Sequence, residues 1–281
     1  MKAFLSQILV LLGILLLAYA GFVLLVAFFQ RSLIYYPSTA EREELEASAQ
    51  RQGLVPWMSA AGDIMGWNLE STELQRDAEN RLIIFHGNAG FALHREYFID
   101  LFHSLDGGSL WDVYIFEYPG YGPRDGRPSK NAFVEAAHAA YRELLSADDR
   151  PVYLLGESIG CGVATAVAAR EAETVAGVLM ISPFTRLSDV GAGHFPFLPV
   201  RLLLRDEYDN TENLRRYGGR AAFVVAGRDE VIPARLGRQL YEEYAGPKKL
   251  WIQEEATHNT IRYTPADPMW QEISDFLISG R

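Results

Sequence analysis

A single cysteine, Cys161, stands in 281 residues, so no internal disulfide can form. No Cys/His cluster has the spacing of a zinc site, and no metal is expected. Basic residues are the minority charge: 26 Lys and Arg against 36 Asp and Glu, a formal net charge of −10. Without clustered Lys and Arg or aromatic–basic interleaving, nothing would neutralise a phosphate backbone, so nucleic acid is excluded as a partner. There is no G-x-x-x-x-G-K-[ST] loop for nucleotide phosphates, and no cofactor is expected. Internal repeats and low-complexity segments are lacking too.

What the chain has in excess is apolar length at its start. No charged residue occurs from Ile8 to Phe29. A helix of about 22 residues would be roughly 33 Å long, enough to cross a bilayer core. Lys2 precedes the run, and Gln30 and Arg31 end it. Ala18-Tyr19-Ala20 resembles a signal-peptide cut site, but the apolar run continues past it through Phe28 and Phe29. The reading is an uncleaved membrane anchor over residues 1–31, followed by one catalytic-size domain over 32–281. With 49% hydrophobic residues, that length suffices for a sizeable core.

Beyond the anchor, Ser32 to Tyr36 reads as a short strand stopped by Pro37, and residues 38–52 as a polar linker or exposed helix without an apolar stripe. Ile64 to Leu69 alternates like a strand. Short apolar runs then follow at Leu82–Phe85, Val113–Phe116, Val152–Leu155, Val175–Ile181, Ala221–Ala226 and Leu250–Ile252. Helical segments lie between and after them, at about 91–105, 129–146, 159–170, 234–245 and 268–279. Short buried strands alternating with helices predict an α/β fold: a mainly parallel central sheet with helices on both faces. Ligands of such sheets sit at the carboxyl ends of the strands. Residues 183–218 interrupt the alternation with Pro, Gly and Arg and are read as a cap insertion. Its Asp206 and Asp209 are expected to pair with Arg201, Arg205 or Arg215.

Gly156-Glu157-Ser158-Ile159-Gly160 falls between a strand and a helix. A serine side chain thrown off the top of a sheet needs a sharp turn, with minimal residues on either side so that strand and helix can approach. Ser158 is the expected nucleophile. A hydroxyl needs a base, and in such folds the chain order is Ser, then Asp or Glu, then His. Downstream of Ser158 stand only His194, inside the cap, and His258, in a loop after a strand; His258 is the expected base. Asp229, just past the strand ending at Ala226, is the expected orienting acid, with Glu230 as its rival. Two backbone N–H groups should hold the oxyanion, one from Ile159 and one from the His86–Gly90 turn, with Asn88 preferred over Ala89. His86 itself is expected to brace that turn.

With these stretches in hand, the chain resembles the membrane-anchored α/β-hydrolase-domain serine hydrolases, a group that includes protein depalmitoylases. The likeness runs from Ser32 to the end. It is carried by Ser32-Leu33-Ile34-Tyr35-Tyr36-Pro37, His86-Gly87-Asn88-Ala89-Gly90, Tyr118-Pro119-Gly120-Tyr121-Gly122, Gly156-Glu157-Ser158-Ile159-Gly160, Ser182-Pro183-Phe184, Gly227-Arg228-Asp229 with Val231-Ile232-Pro233, and His258-Asn259. It implies the α/β-hydrolase fold, the triad Ser158, Asp229 and His258, and an anchored enzyme acting on esters or thioesters. One departure is the approach to His258, Glu254-Glu255-Ala256-Thr257, where relatives are often glycine-rich. The expected reaction is cleavage of a small-molecule or lipid-like acyl substrate through an acyl-enzyme. Amide cleavage by the same triad and a non-catalytic binding protein on the same fold are the alternatives. Phe184, Phe195, Phe197, Leu198, Leu202 and Leu203 are expected either to line an acyl pocket or to fill the cap.

Overall fold

The structure, a computed structural model, describes residues 2–69, 78–105 and 110–279. Its strands are β1 (Tyr36–Pro37), β2 (Leu54–Met58), β3 (Ile64–Leu69), β4 (Asn80–Phe85), β5 (Ala89–Gly90), β6 (Trp111–Phe116), β7 (Val152–Glu157), β8 (Val175–Ile181), β9 (Ala221–Ala226) and β10 (Lys248–Gln253). The main sheet runs β10-β9-β8-β7-β4-β6-β3-β2. Only β3 is reversed, antiparallel to both β2 and β6. β4, β6 and β9 are buried at every residue, as parallel strands covered on both faces must be.

Alternation along each strand divides the core in two. Ile83 and Phe85 of β4 and Leu154 of β7 face one side, packed with Phe133, Ala137 and Tyr141 of helix Lys130–Leu145 and Val163 and Val167 of helix Gly160–Arg170. Leu82, Ile84 and Leu155 face the other, with Phe98 and Phe102 of helix Tyr97–His103 and Trp270 and Ile273 of helix Pro268–Ile278. The period of two places successive side chains in opposite layers.

Three local expectations are corrected. Ser32–Ile34 belong not to a strand but to the first helix, which runs from Lys2 to Ile34. An established helix adds residues cheaply, and no breaker stands before Pro37. Arg42–Arg51 is a helix with a narrow inner stripe, Leu45 and Ala49, spaced i, i+4. The sequence reading passed over β2, whose Pro56 argues against a central strand; it is tolerated because β2 is the sheet edge.

Between β8 and β9 lie helices Leu187–His194, Val200–Leu203 and Asn210–Tyr217. Their acidic residues do not take the expected partners. Asp206 binds Arg31 of the first helix, Asp209 binds Arg186, and Arg201 goes to Asp189. Arg215 stays within its own helix, on Glu212.

Candidate active site

Ser158 follows β7 with φ of +54°, a left-handed conformation that costs an L-residue on the order of 1–2 kcal/mol. Its amide donates to Ile181 O at 2.8 Å. The flanking glycines make the turn possible. A Cβ on Gly160 would overlap the Phe85 carbonyl, and one on Gly156 would meet the Cys161 backbone. Cys161 lies under the turn, its thiol against Gly156 O and Ile181 O. Burial pushes that thiol up, so it stays protonated and unreactive.

Asp229 follows β9. Its Oδ1 accepts the Val231 and Ile232 amides at 2.9 and 2.7 Å, and its Oδ2 faces His258 Nδ1 at 2.8 Å. The neighbour Glu230 is exposed. The acid and histidine loops approach closely because residue 227 is glycine: a Cβ there would strike the Glu254 backbone. Gly227 N donates to Gln253 O and Arg228 N to Ala256 O. The acidic approach to His258 is matched by arginines, Glu255 by Arg228 and Glu254 by Arg238. With Nδ1–H given to Asp229, the lone pair of His258 is left on Nε2, as a general base requires.

Ser158, Ile159 and Asn88 line one cavity of about 250 Å³, with Val231 and Ile232 from the acid loop. Among the described residues, neither the Asn88 nor the Ile159 amide is given to another protein acceptor. The Asn88 carbonyl accepts Tyr36 N and Tyr121 Oη, and its side chain donates to Ile34 O. His86 is buried and braces the turn from below, its Nδ1–H donating to Gly87 O at 2.8 Å. Among the described residues no hydrogen bond joins Ser158 to His258; catalytic hydrogen bonds are often loose before substrate binds. His194 also lines the cavity, but its Nε2–H is committed to Val231 O. Of the six apolar residues, Phe184, Phe195, Leu198 and Leu203 line the cavity, whereas Phe197 and Leu202 lie outside it and are exposed.

Sequence reasoning missed Glu157, the variable position of the nucleophile turn. Its Oε2 accepts Arg95 Nε at 2.6 Å and Gly87 N at 3.3 Å. Burial, the largest single influence, pulls the Arg95 guanidinium down, but the charge and hydrogen bond of Glu157, with Tyr97 and Tyr263, together hold Arg95 above its ordinary range. This carboxylate ties the turn carrying Asn88 to the turn carrying Ser158 and Ile159. Glu157→Gln is expected to lower kcat by about 10- to 100-fold with little change in KM, because it loosens geometry rather than binding. Steady-state kinetics on one ester would check it; a pure KM effect would mean that Glu157 merely shapes the pocket.

A parallel sheet with a strained serine on a strand-to-helix turn, and a histidine bonded to a buried carboxylate, defines a hydrolase architecture. The sequence profile of the alpha/beta hydrolase family matches residues 82–277, and the chain belongs to that family as a serine hydrolase. An uncharacterized protein of Mycobacterium tuberculosis is 31% identical over 264 residues, 92% of this chain and 90% of that protein. The lysophosphatidylserine lipase ABHD12 of Mus musculus is 31% identical over 206 residues; the match covers 66% of this chain and 50% of the lipase. Among solved structures, the Pyrococcus furiosus esterase Pf2001 gives a TM-score of 0.61 at 14% identity, covering 87% of this chain and 97% of that one. Est1E of Butyrivibrio proteoclasticus with ferulic acid gives 0.57 at 14% identity, covering 80% and 95%. At such identity the likeness is one of fold.

Proposed function

We propose that the chain is a membrane-anchored ester hydrolase working by two-step acyl transfer. Ser158 attacks the carbonyl while His258 takes its proton, and Asp229 fixes the ring and stabilises the imidazolium. The Ile159 and Asn88 amides receive the oxyanion, each worth about 3 kcal/mol. Water activated by His258 then releases the acid. The reading rests above all on the 2.8 Å hydrogen bond between Asp229 and His258. It is supported by the positive φ of Ser158 at the cavity that Ile159 and Asn88 share.

Residues 1–31 act as the anchor, 32–281 as the hydrolase domain and 183–218 as its cap. The apolar helix Phe4–Ile34 is long enough to span a bilayer. Carboxylic esters of lipids are favoured because the cavity walls are mostly aliphatic and aromatic and because a relative is named a lysophosphatidylserine lipase. Thioesters suit the same chemistry.

Two assays separate the possibilities. The folded wild type should be labelled by a fluorophosphonate probe, and an ester should turn over at least about 100-fold faster than the arylamide of the same acid, since the amine is the poorer leaving group. Faster cleavage of the arylamide would make this an amidase. An unlabelled protein would remove the serine mechanism.

A further inference from the structure

We infer that the first helix is itself a wall of the substrate pocket, and that the tip of the cap sits in the same lipid leaflet, so acyl chains reach Ser158 from within the bilayer. This rests on the proposed anchor and nucleophile, and adds to them a route and a selecting surface.

The helix is longer than a membrane needs. Lys2–Ile34 is 33 residues, whereas about 20 cross a hydrocarbon core of roughly 30 Å. The surplus at its carboxyl end is docked. Val23, Val26, Ala27, Gln30 and Ile34 are partly or fully covered, a spacing that marks one helical face. Leu24, Leu25, Phe28 and Phe29 on the other side remain exposed. A helix stretch apolar on its outer face and packed against protein on its inner face suits a position at the bilayer, not out in water.

Polar contacts fix the docking. Arg31 Nε and Nη2 bind Asp206 Oδ2 and Oδ1 at 2.8 and 3.2 Å. Gln30 donates to Leu203 O at 3.2 Å and accepts the Arg205 amide at 2.7 Å. Asn88 of the oxyanion turn donates to Ile34 O at 2.9 Å, and β1, which follows the helix, pairs with β5 of that turn. Val26, Ala27, Gln30, Leu33 and Ile34 therefore wall the cavity that contains Ser158.

The cap reaches further up the helix. Tyr19 Oη donates to Phe197 O at 2.7 Å, and the Phe22 and Phe197 rings lie 6.4 Å apart. From Gln30 to Tyr19 the helix rises by about 16 Å, which puts Phe197 beside the charge-free run. Here Phe197 is exposed by 58%, and the exposed Phe195 ring lies 6.3 Å from it. Large apolar side chains left uncovered beside an apolar helix are matched by the hydrocarbon that surrounds that helix. The partner is thus the lipid leaflet, and the substrate class is a bilayer-resident long-chain ester.

The test uses the full chain in phosphatidylcholine vesicles, comparing a long-chain fluorogenic ester held in the bilayer with a short, water-soluble nitrophenyl ester. Ala27→Trp, which fills the helix wall, and Phe197→Asp, which charges the cap tip, should each lower the long-to-short turnover ratio by about tenfold or more, because the acyl chain's binding energy acts at the reacting centre. Leu25→Trp, on the opposite helix face and exposed, should leave that ratio unchanged. Independently, a polarity-sensitive dye on Phe197→Cys should be quenched by spin-labelled lipid, while the same dye on Asp149→Cys should not. Asp149 precedes β7, at the sheet end away from Ser158, and the native Cys161 is buried from the reagent.

A ratio unmoved by Ala27→Trp and Phe197→Asp, or an unquenched dye at position 197, overturns the pocket-wall and cap-tip assignment. Wild type that fails to float with the vesicles overturns the anchor reading and this inference with it. Persistent activity in Ser158→Ala would instead strike the proposed nucleophile.

Discussion

Ser158→Ala should lose about a million-fold in kcat on a soluble ester, leaving only the residual rate that binding and the oxyanion amides supply. The hydroxyl is the atom that bonds to carbon, and no neighbour can stand in for it. Cys161 is buried with a protonated thiol, and Ser182, the other serine with positive φ, has its hydroxyl enclosed and unpartnered. The fold should survive, because alanine carries the same left-handed strain as serine at φ +54°. Ser158→Gly makes the comparison sharper: equally inactive, it should be more stable by about 1 kcal/mol, since glycine adopts that conformation without penalty. Probe labelling, ester kinetics and thermal melts on the three proteins check this together. Appreciable esterase activity in either variant would show that another group attacks the carbonyl.

Asp229→Asn should cost about ten-thousand-fold in kcat with almost no loss of stability. The reason lies in the unequal environments of the two carboxylate oxygens. Oδ1 accepts two amides, from Val231 and Ile232. In the asparagine variant the carbonyl oxygen must take that place, because an NH2 group would face two donors. The NH2 group is then turned to His258 Nδ1, where Asp229 Oδ2 now stands at 2.8 Å. Facing a donor, Nδ1 becomes the acceptor, and the proton moves to Nε2. A ring protonated on Nε2 cannot accept the serine proton. Every hydrogen bond is kept, so the melting temperature should hardly change while turnover collapses. A variant with near-normal kcat would mean that His258 is not the base. A variant that melts far below the wild type would mean that Asp229 acts mainly as a structural brace.

Much of this was legible in order along the chain. The alternation of short apolar runs with helical segments prescribes a doubly covered parallel sheet, because such strands have no face to spare for water. Gly156, Gly160 and the strand–helix context single out Ser158, since the backbone crowding at that turn is a local property that residue size reports directly. Asp229 and His258 followed from chain order, and even the membrane-length helix is a matter of composition. All of these depend on neighbours in sequence.

What needed the tertiary structure depends on neighbours in space. Asp206 was expected to pair within the cap, yet it meets Arg31, 175 residues away. The cap has several arginines of its own for Asp206, so only the docking of the first helix against it could select Arg31. Only the fold shows that Asp229 turns inward to His258 while its neighbour Glu230 stays exposed. Glu157 looked like a free position of a motif, because its partners Arg95 and Gly87 lie on the neighbouring strand's loop. Sequence determined the elements and the candidate site residues through local sterics and polarity. The fold alone decided which surfaces those elements share, and so brought the membrane-length first helix to the wall of the cavity that Ser158 lines.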